Sequence, residues 1–306
     1  MDLITVLGPT ATGKTQFAVQ LTGLIGGEII SADSRQVYRG MDIGTGKDLN
    51  DYIVNGKQIS YHLIDIVDAG EKYNVFRYQS DFLKVYDNLK SKNILPVLCG
   101  GSGMYIEAVL KGYKLINVPV NESLREMLNK YSLQELEQKL KQYGQLHNKT
   151  DVDTKKRAIR AIEIAEYYKT HPDIDFSFPE IKSLIFGIKF DRKIVKERIT
   201  YRLKERLQQG MIDEVEELIK QGVDTDTLEY YGLEYKFIVK FLKKELSYNH
   251  MVEKLNVAIH QFSKRQMTWF RKMERQGFKI YWIDGELPED KKISTAMEII
   301  NNHNYF

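Results

Sequence analysis

A glycine-rich loop near the N-terminus constrains the fold of this chain more than any other stretch. The loop follows a short apolar run, residues 3–7, and leads into residues 16–21, whose apolar spacing suits a helix. Its residues fit the pattern G-x-x-x-x-G-K-[ST]: Gly8, Pro9, Thr10, Ala11, Thr12, Gly13, Lys14 and Thr15. An ordinary glycine-rich turn is the alternative, but the order of strand, glycine loop and helix N-terminus predicts a phosphate-binding loop.

The residue types of this loop suit phosphate chemistry. Glycines let successive backbone N–H groups converge on phosphate oxygens, and the positive end of the following helix dipole adds to their field. Lys14 supplies a point charge for terminal phosphates, and the Thr15 hydroxyl can ligate Mg²⁺. The loop therefore predicts a bound polyphosphate, without saying which one.

Composition excludes several classes of protein. The 306 residues suffice for one large domain or two smaller ones, and the net charge of +3 is too weak to indicate a nucleic-acid partner by itself. The single cysteine, Cys99, excludes an internal disulfide framework and a Cys-based zinc site, and we expect it to be a small buried hydrophobe. With no cationic apolar leader and no apolar run of about 18 residues, we expect a cytoplasmic protein that does not span a membrane.

Two further apolar runs predict buried strands. Residues 28–32 end at Asp33, and we expect this strand beside the one that precedes the glycine loop, where parallel α/β sheets bind ligands. A turn Asp that caps the next segment is the alternative for Asp33. Residues 94–99 end at Gly100-Gly101, where an ordinary P-loop ATPase would have a magnesium-ordering Asp. That difference argues against plain ATP hydrolysis, although Asp33 could take the place of the acid.

The chain changes character at about residue 116. Charged, helix-patterned stretches at 122–142 and 154–170 predict an all-helical domain, residues 116–181. It is inserted into an α/β core of the P-loop, nucleotide-kinase-like kind, residues 1–115 and 182–306, with a parallel sheet flanked by helices. The second stretch carries a basic cluster of four residues, Lys155, Lys156, Arg157 and Arg160. For the lysines, the favoured interpretation is that they lie on a solvent-exposed face of the helix and bind nothing.

Three arginines recur at helical spacing between residues 191 and 221. Arg198, Arg202 and Arg206 occupy positions i, i+4 and i+8 and so share one face of a predicted helix. Facing a phosphate pocket they would be functional, whereas facing Glu197 and Glu205 they would be structural. The sequence favours neither alternative.

A long helix is predicted at residues 249–275. Its basic residues alternate with Trp269 and Phe270, a pattern that suits nucleic acid, where bases stack and phosphates pair. The alternative is that the aromatic rings anchor the helix to the core, and we expect this for at least one of them.

Over nearly its full length the chain resembles the tRNA dimethylallyltransferases, also called tRNA isopentenyltransferases. The resemblance lies in six blocks in the family's order: residues 8–15, 33–45, 100–105, the helix with Arg157 and Arg160, Arg198 with Arg202, and residues 264–271. Such enzymes move a dimethylallyl group from its diphosphate to the exocyclic amine of the adenosine just 3′ of the anticodon.

The resemblance implies roles for individual residues. Asp33 would be the general base for the attacking amine, while Thr10, Lys14, Thr15 with Mg²⁺, and Arg202 would stabilise the leaving diphosphate. The residues that the resemblance places on the tRNA side are Asp33, Ser34, Arg35, Gln36, Ser102, Arg125, Lys156, Arg157, Arg160, residues 229–234, Gln261, Lys264, Arg265, Gln266 and Thr268. The inserted domain would clasp the anticodon stem, and a monomer is the default expectation.

The chain departs from the family pattern at three places. Ser102 stands where the family usually has Thr, and Gly46 and Asp48 replace a small residue and a Pro around Lys47. Residues 229–234 lack the Arg that some members carry there.

Two other functions share the glycine loop. An adenylate isopentenyltransferase acting on free AMP, ADP or ATP, or a P-loop small-molecule kinase, would need neither the insertion nor the basic helix with its aromatic residues. A nucleotide-sensing or RNA-binding module without catalysis is disfavoured, because Thr10, Asp33 and Arg202 accompany an intact loop. The transferase acting on tRNA is therefore the favoured prediction.

Overall fold

The computed structural model of the chain describes residues 1–144, 152–171 and 178–303. It divides into two compact units: one comprises Met1–Tyr113 and Pro179–Phe306, the other Lys114–Phe178. The insertion predicted at residues 116–181 includes residues 145–151 and 172–177, which lie outside the described residues.

The first unit contains a six-stranded parallel sheet. Its strands are β1 (Leu3–Leu7), β2 (Glu28–Ser31), β5 (Tyr61–His62), β6 (Pro96–Gly100), β7 (Ser183–Lys189) and β8 (Ile280–Asp284), in the spatial order β5-β2-β6-β1-β7-β8. A short antiparallel pair is formed by β3 (Ile53–Val54) and β4 (Lys57–Gln58). Every residue of β1 and β6 is buried, as expected of central parallel strands covered on both faces.

The predicted place of β2 is wrong. β6 lies between β2 and β1 and pairs with both. Gly100 is what lets β6 fit there, because a Cβ at this position would overlap the carbonyl oxygen of Ala32. The ends of β2 and β6 nevertheless meet at the carboxyl edge of the sheet, where the backbone nitrogen of Ala32 donates to the carbonyl oxygen of Cys99 at 2.7 Å.

Helices make up most of the remaining chain. In order they are α1 (Lys14–Ile25), α2 (Val75–Ser91), α3 (Gly103–Leu110), α4 (Glu122–Leu128), α5 (Leu133–Lys141), α6 (Lys155–Thr170), α7 (Arg192–Gln208), α8 (Met211–Lys220), α9 (Thr225–Tyr231), α10 (Leu233–Leu242), α11 (Tyr248–Arg275) and α12 (Glu289–Asn302), with a short 3₁₀ helix at Leu49–Tyr52. Helices α1 and α12 pack with the strands around a core that includes Ile4, Phe17, Val97, Phe186 and Ile300. The predicted α/β class with a parallel sheet flanked by helices is confirmed.

The second unit is helical wherever the structure describes regular elements. Helices α4, α5 and α6 enclose a small apolar core that includes Leu128, Leu136 and Ile162. The charged stretch at 122–142 forms two helices, because Ser132 and Glu135 make a capping box that begins α5. No helix among the residues that the structure describes is both long and apolar enough to cross a membrane.

Candidate active site

The glycine loop connects β1 to α1 through a left-handed turn. Ala11 and Gly13 have φ angles of 63° and 73°, and the Thr12 hydroxyl donates to the carbonyl oxygen of Pro9 at 2.9 Å. A non-glycine residue in the left-handed region is uncommon and is typical of functional loops that their surroundings hold in place.

Two long side chains from distant helices hold this loop. Arg198 of α7 donates through Nε to the carbonyl oxygen of Ala11 at 2.7 Å, and its guanidinium lies 4.7 Å from the centre of the Phe190 ring. Gln266 of α11 accepts from the backbone nitrogen of Thr10 at 2.9 Å and donates to the carbonyl oxygen of Gly101 at 2.9 Å. Gln266 was predicted to contact tRNA, and in the structure both ends of its carboxamide bind backbone groups.

A cavity of about 460 Å³ opens beside the loop. Its lining comes from the glycine loop and the start of α1, from residues 46–51, and from α7 with the residue that follows it: Ala11, Gly13, Lys14, Thr15, Gln16, Gly46, Asp48, Asp51, Arg198, Tyr201, Arg202, Glu205, Arg206 and Gln209. The arginine face of α7 therefore borders the glycine loop, and Glu205 lines the same cavity.

The charges around Lys14 influence one another. Desolvation lowers the pKa of the Lys14 ammonium, the nearby Arg202 and Arg206 lower it further, and the Asp33 carboxylate opposes the shift. Lys14 and the guanidiniums of Arg202 and Arg206 thus lie close enough together to repel one another, and a bound polyanion would relieve that repulsion. Cys99 is buried in β6, which confirms the expectation of a small buried side chain, and burial raises the pKa of its thiol to about 12.

The segment after β2 carries the predicted base. Asp33 is partly exposed, and its Oδ1 accepts from the backbone nitrogen of Arg35 at 2.9 Å. The backbone nitrogen of Ser34 donates to the hydroxyl of Ser102 at 3.0 Å. Gln36 donates to the carbonyl oxygen of Gly46 at 3.1 Å. The structure thus brings residues 33–36 and Ser102 together at the carboxyl edge of the sheet.

The glycine-containing segment 41–47 is held by internal contacts. The Glu214 carboxylate accepts from the backbone nitrogens of Asp42, Ile43 and Gly44 at 2.6–3.1 Å. Lys47 is 6% exposed and donates to the carbonyl oxygen of Tyr38 at 2.8 Å and to the carboxylate of Asp42 at 2.6 Å. The Lys47 ammonium therefore serves the loop itself.

The long helix α11 separates its residues into two faces. Phe270 is fully buried, and Trp269 packs so closely on Gly103 that a Cβ there would lie 2.5 Å from its ring. The expectation that at least one aromatic ring anchors the helix is confirmed. The predicted tRNA contacts Gln261, Lys264, Arg265 and Thr268 are all exposed.

In the second unit, two of the predicted tRNA-binding arginines contact one buried carboxylate, that of Glu163. Arg125 donates to Glu163 through Nε at 3.0 Å and through Nη2 at 2.9 Å, and Arg160 donates to the same carboxylate. Arg157 is exposed and pairs with Asp153 at 3.2 Å, while Lys156 is exposed. Arg125 and Arg160 therefore have a structural partner, whatever else they bind.

Sequence reasoning missed two acidic residues of the cavity. Asp48 pairs with Arg202 at 3.0 Å. Burial raises the pKa of the Asp51 carboxyl, and the nearby negative charge of Asp48 raises it further. The only signal was that Asp48 departs from the family pattern. Arg206 was visible in the helical spacing, but nothing in that spacing showed its burial.

Comparisons with known proteins agree on one family. The family model described as IPP transferase matches residues 36–273. A tRNA dimethylallyltransferase 1 from Parabacteroides distasonis is 61% identical over 302 residues, which span 98% of each chain. The solved structure of a full-length tRNA isopentenylpyrophosphate transferase from Bacillus halodurans is 30% identical, with a TM-score of 0.71 over 98% of this chain and 95% of that one.

A more distant structure shares the fold. A eukaryotic dimethylallyltransferase, solved acting on tRNA, has a TM-score of 0.76 over 98% of this chain and 79% of its own, at 18% identity. The full-length identities and the family match confirm the resemblance that the six blocks indicate. This chain belongs to the IPP transferase family.

Proposed function

We propose that this chain transfers a dimethylallyl group from dimethylallyl diphosphate to N6 of the adenosine 3′ of the anticodon in tRNA, releasing diphosphate. The observation that carries the proposal is the cavity in which the glycine loop faces the arginines of α7, near the Asp33 carboxylate. The glycine loop and the arginines suit a diphosphate leaving group, and the nearby carboxylate suits a general base. The relatives named above as tRNA dimethylallyltransferases support the same reaction.

Asp33 is proposed to accept the proton of the amine. N6 attacks C1 of the dimethylallyl group, the N–C bond forms, the C1–O bond breaks, and the electron pair leaves with diphosphate. An adenine amine is a poor nucleophile, so removing its proton as positive charge develops lowers the barrier. The backbone nitrogen of Arg35, bound to Oδ1, orients the carboxylate for this task.

The cations of the cavity are proposed to stabilise the leaving group. Charge builds on the bridging oxygen as C1–O breaks, and preorganised donors near that oxygen lower the barrier. Lys14, Arg202 and the backbone nitrogens of the glycine loop are proposed to supply these donors, together with Thr10, which borders a smaller pocket with Arg202. A bound diphosphate would also offset the desolvation that lowers the pKa of Lys14.

Mg²⁺ fits the donors of this cavity. Thr15 lines it together with Asp51, and a hydroxyl and a carboxylate are both hard oxygen donors. No cluster of three or more His, Cys, Asp or Glu suited to a metal occurs within residues 1–144, 152–171 and 178–303, so most ligands would come from diphosphate and water. Thr15 would hold the ion, which when bound neutralises charge on the diphosphate.

The tRNA is proposed to bind the exposed face of α11 and the second unit. Lys264, Arg265 and Arg271 are exposed cations on that face, and Phe262 offers an exposed ring for stacking. The target base must leave the anticodon-loop stack to reach Asp33, so part of the binding energy offsets the cost of unstacking. We further propose that the enzyme acts as a monomer in the cytoplasm, which sedimentation and cell fractionation would test.

Transfer of label tests the reaction directly. Labelled dimethylallyl diphosphate is incubated with the protein, Mg²⁺ and unmodified tRNA, beside parallel reactions with AMP, ADP and ATP. We expect label in tRNA alone, on the adenosine 3′ of the anticodon. Label in a free nucleotide, or phosphate transfer from ATP instead, would overturn the proposal.

An Asp33 variant tests the assignment of the base. Asp33→Ala is expected to abolish turnover while leaving tRNA affinity within a few fold, because a general base acts mainly in the transition state. Asp68→Ala, which removes an exposed carboxylate paired with Arg39, serves as the matched control. Near-normal turnover of Asp33→Ala would remove Asp33 from the mechanism.

A further inference from the structure

Two guanidiniums on α7 flank one carboxylate at the edge of the cavity. Arg202 and Arg206 lie one helical turn apart, and the Oδ2 atom of Asp48 is 3.0 Å from Nη2 of Arg202 but 3.9 Å from Nη2 of Arg206. The carboxylate therefore makes a hydrogen bond to Arg202 only.

Arg206 is the less satisfied of the two arginines. Its side chain is 11% exposed, and its Nη2 atom is buried without a hydrogen-bond partner among the residues that the structure describes. Buried polar atoms are almost always paired, because a buried donor without an acceptor is costly. Arg206 also borders a small pocket of about 20 Å³ with Thr10 of the glycine loop and with Glu234. The unpaired donor thus belongs to the site that faces the phosphate-binding loop.

The electrostatics of Arg206 point the same way. Burial lowers its pKa to about 10, Arg202 lowers it further, and Glu234 and Asp48 oppose the shift. The Glu234 carboxyl is itself buried, and burial raises its pKa, so it is a weak partner for the guanidinium. The carboxylates around Arg206 therefore leave its Nη2 atom without a hydrogen-bond acceptor among the residues that the structure describes.

The neighbouring backbone leaves space for the guanidinium. Gly46 has a φ of 68°, and a Cβ added there would overlap the Nη2 atom of Arg206. A side chain at position 46 would therefore displace the donor. Gly46 and Asp48 are both departures from the family pattern, and both lie against the same pair of arginines.

We propose that Arg206 is a second guanidinium that binds the diphosphate, and that the Asp48 carboxylate occupies the anion position between Arg202 and Arg206 until the diphosphate displaces it. The inference rests on the function proposed above, and it adds a binding residue and a displaceable anion to that site. A diphosphate has more acceptor oxygens than one carboxylate and can satisfy both arginines at once. Asp48 is 55% exposed, so its carboxylate can turn to solvent when the diphosphate arrives.

Pyrophosphate binding with Mg²⁺, measured by calorimetry, is the test. Arg206→Met keeps the length of the side chain and removes its charge, and it is expected to raise the Kd for pyrophosphate about tenfold or more, since it removes a charged hydrogen bond. Arg206→Lys should recover part of that loss. Lys204→Met is the matched control, because Lys204 is an exposed cation on the same helix; its Kd should equal that of the unmodified protein.

Asp48→Asn provides the second, independent measurement. Removing the competing carboxylate is expected to lower the Kd for pyrophosphate several-fold, and the gain should shrink when Arg206→Met is added. This variant keeps the proposal falsifiable should Arg206→Met fail to fold, which circular dichroism would show. Unchanged or weakened binding by Asp48→Asn would then overturn it.

The outcomes separate this proposal from the function on which it rests. If the unmodified protein transfers dimethylallyl to tRNA but Arg206→Met binds pyrophosphate as tightly as Lys204→Met does, Arg206 is only structural and the proposed function stands. If the unmodified protein neither binds pyrophosphate nor modifies tRNA, both proposals fail.

Discussion

The carboxamide of Gln266 bridges the backbone nitrogen of Thr10 and the carbonyl oxygen of Gly101, each at 2.9 Å. One side chain of α11 thereby fixes the glycine loop against the turn that follows β6. The opposite face of the same helix carries the exposed cations proposed to bind tRNA. Gln266 therefore connects the glycine loop to the helix that carries the proposed tRNA face.

Gln266→Met should loosen the glycine loop. The substitution leaves the partly buried N–H of Thr10 and the buried carbonyl of Gly101 without these partners, at a cost of about 1–3 kcal/mol in unfolding free energy. We expect weaker pyrophosphate binding and a lower kcat at saturating tRNA, whereas Gln261→Met, on the exposed face, should change neither. A rise in the KM for tRNA alone would instead make Gln266 a tRNA contact, as the family resemblance implies.

The local sequence is sufficient to predict the phosphate-binding loop. The strand, the loop and the helix that form it are contiguous, and the spacing of Arg198, Arg202 and Arg206 needs only helical geometry. The bond between Thr10 and Gln266 joins residues 256 positions apart, and no local pattern indicates such a contact.

Strand order was beyond local patterns for a related reason. The crossover connections of a parallel sheet, and not the composition of the strands, decide which strands are neighbours. The expectation that β2 lies beside β1 is therefore wrong, because β6 lies between them. The same holds for Glu214, whose carboxylate binds the backbone of residues 42–44 from a helix distant in sequence. Asp48 and Arg206 meet only through this tertiary arrangement.

The exposed cations of α11 should control the salt dependence of tRNA binding. Replacing Lys264, Arg265 and Arg271 by Ala is expected to weaken binding and to reduce the slope of log K against log salt concentration by about 2, at roughly 0.7 per contact to a single strand. The control replaces three exposed cations of α2 and its C-terminal end, Lys84, Lys90 and Lys92. Lys90 and Lys92 shortly precede the first residue of β6 in the chain, so they lie towards the amino ends of the strands and not at the carboxyl ends, where the glycine loop lies. Equal changes of slope in both variants would show that α11 is not the tRNA face.

Glu163 should make the second unit sensitive to acid. Burial alone would raise the pKa of its carboxyl, but hydrogen bonds from Arg125, Asn121 and Arg160 lower the pKa below its usual range. The stability that the ionised group contributes is therefore present above pH about 4.3 and is lost as the pH falls through the lowered value.

Hydrogen exchange within α6 measures this contribution. Glu163→Gln should reduce the free energy of opening by about 3 kcal/mol at pH 7, because two arginines lose their buried partner, and the difference from the unmodified protein should shrink below pH 4. Rates are corrected for intrinsic exchange at each pH. Glu126→Gln, an exposed position on α4, is the control and should show no difference at either pH. A difference that stays constant with pH would assign the effect to packing instead of charge.

Gly46→Ala should impair diphosphate binding more than it impairs folding. The new Cβ would displace the guanidiniums of Arg206 and Arg202, whose flexible side chains can move away without disturbing the core. Gly40→Ala is a closely matched control, since Gly40 has a φ of 71° against 68° at Gly46, but its Cβ would meet nothing closer than 3.9 Å.

Both variants should lose about 1 kcal/mol of unfolding free energy, measured by urea unfolding, because alanine is strained in the left-handed backbone conformation. Only Gly46→Ala should also raise the Kd for pyrophosphate, by about tenfold. Equal pyrophosphate affinities in the two variants would mean that the space beside Gly46 does not matter for the arginine pair.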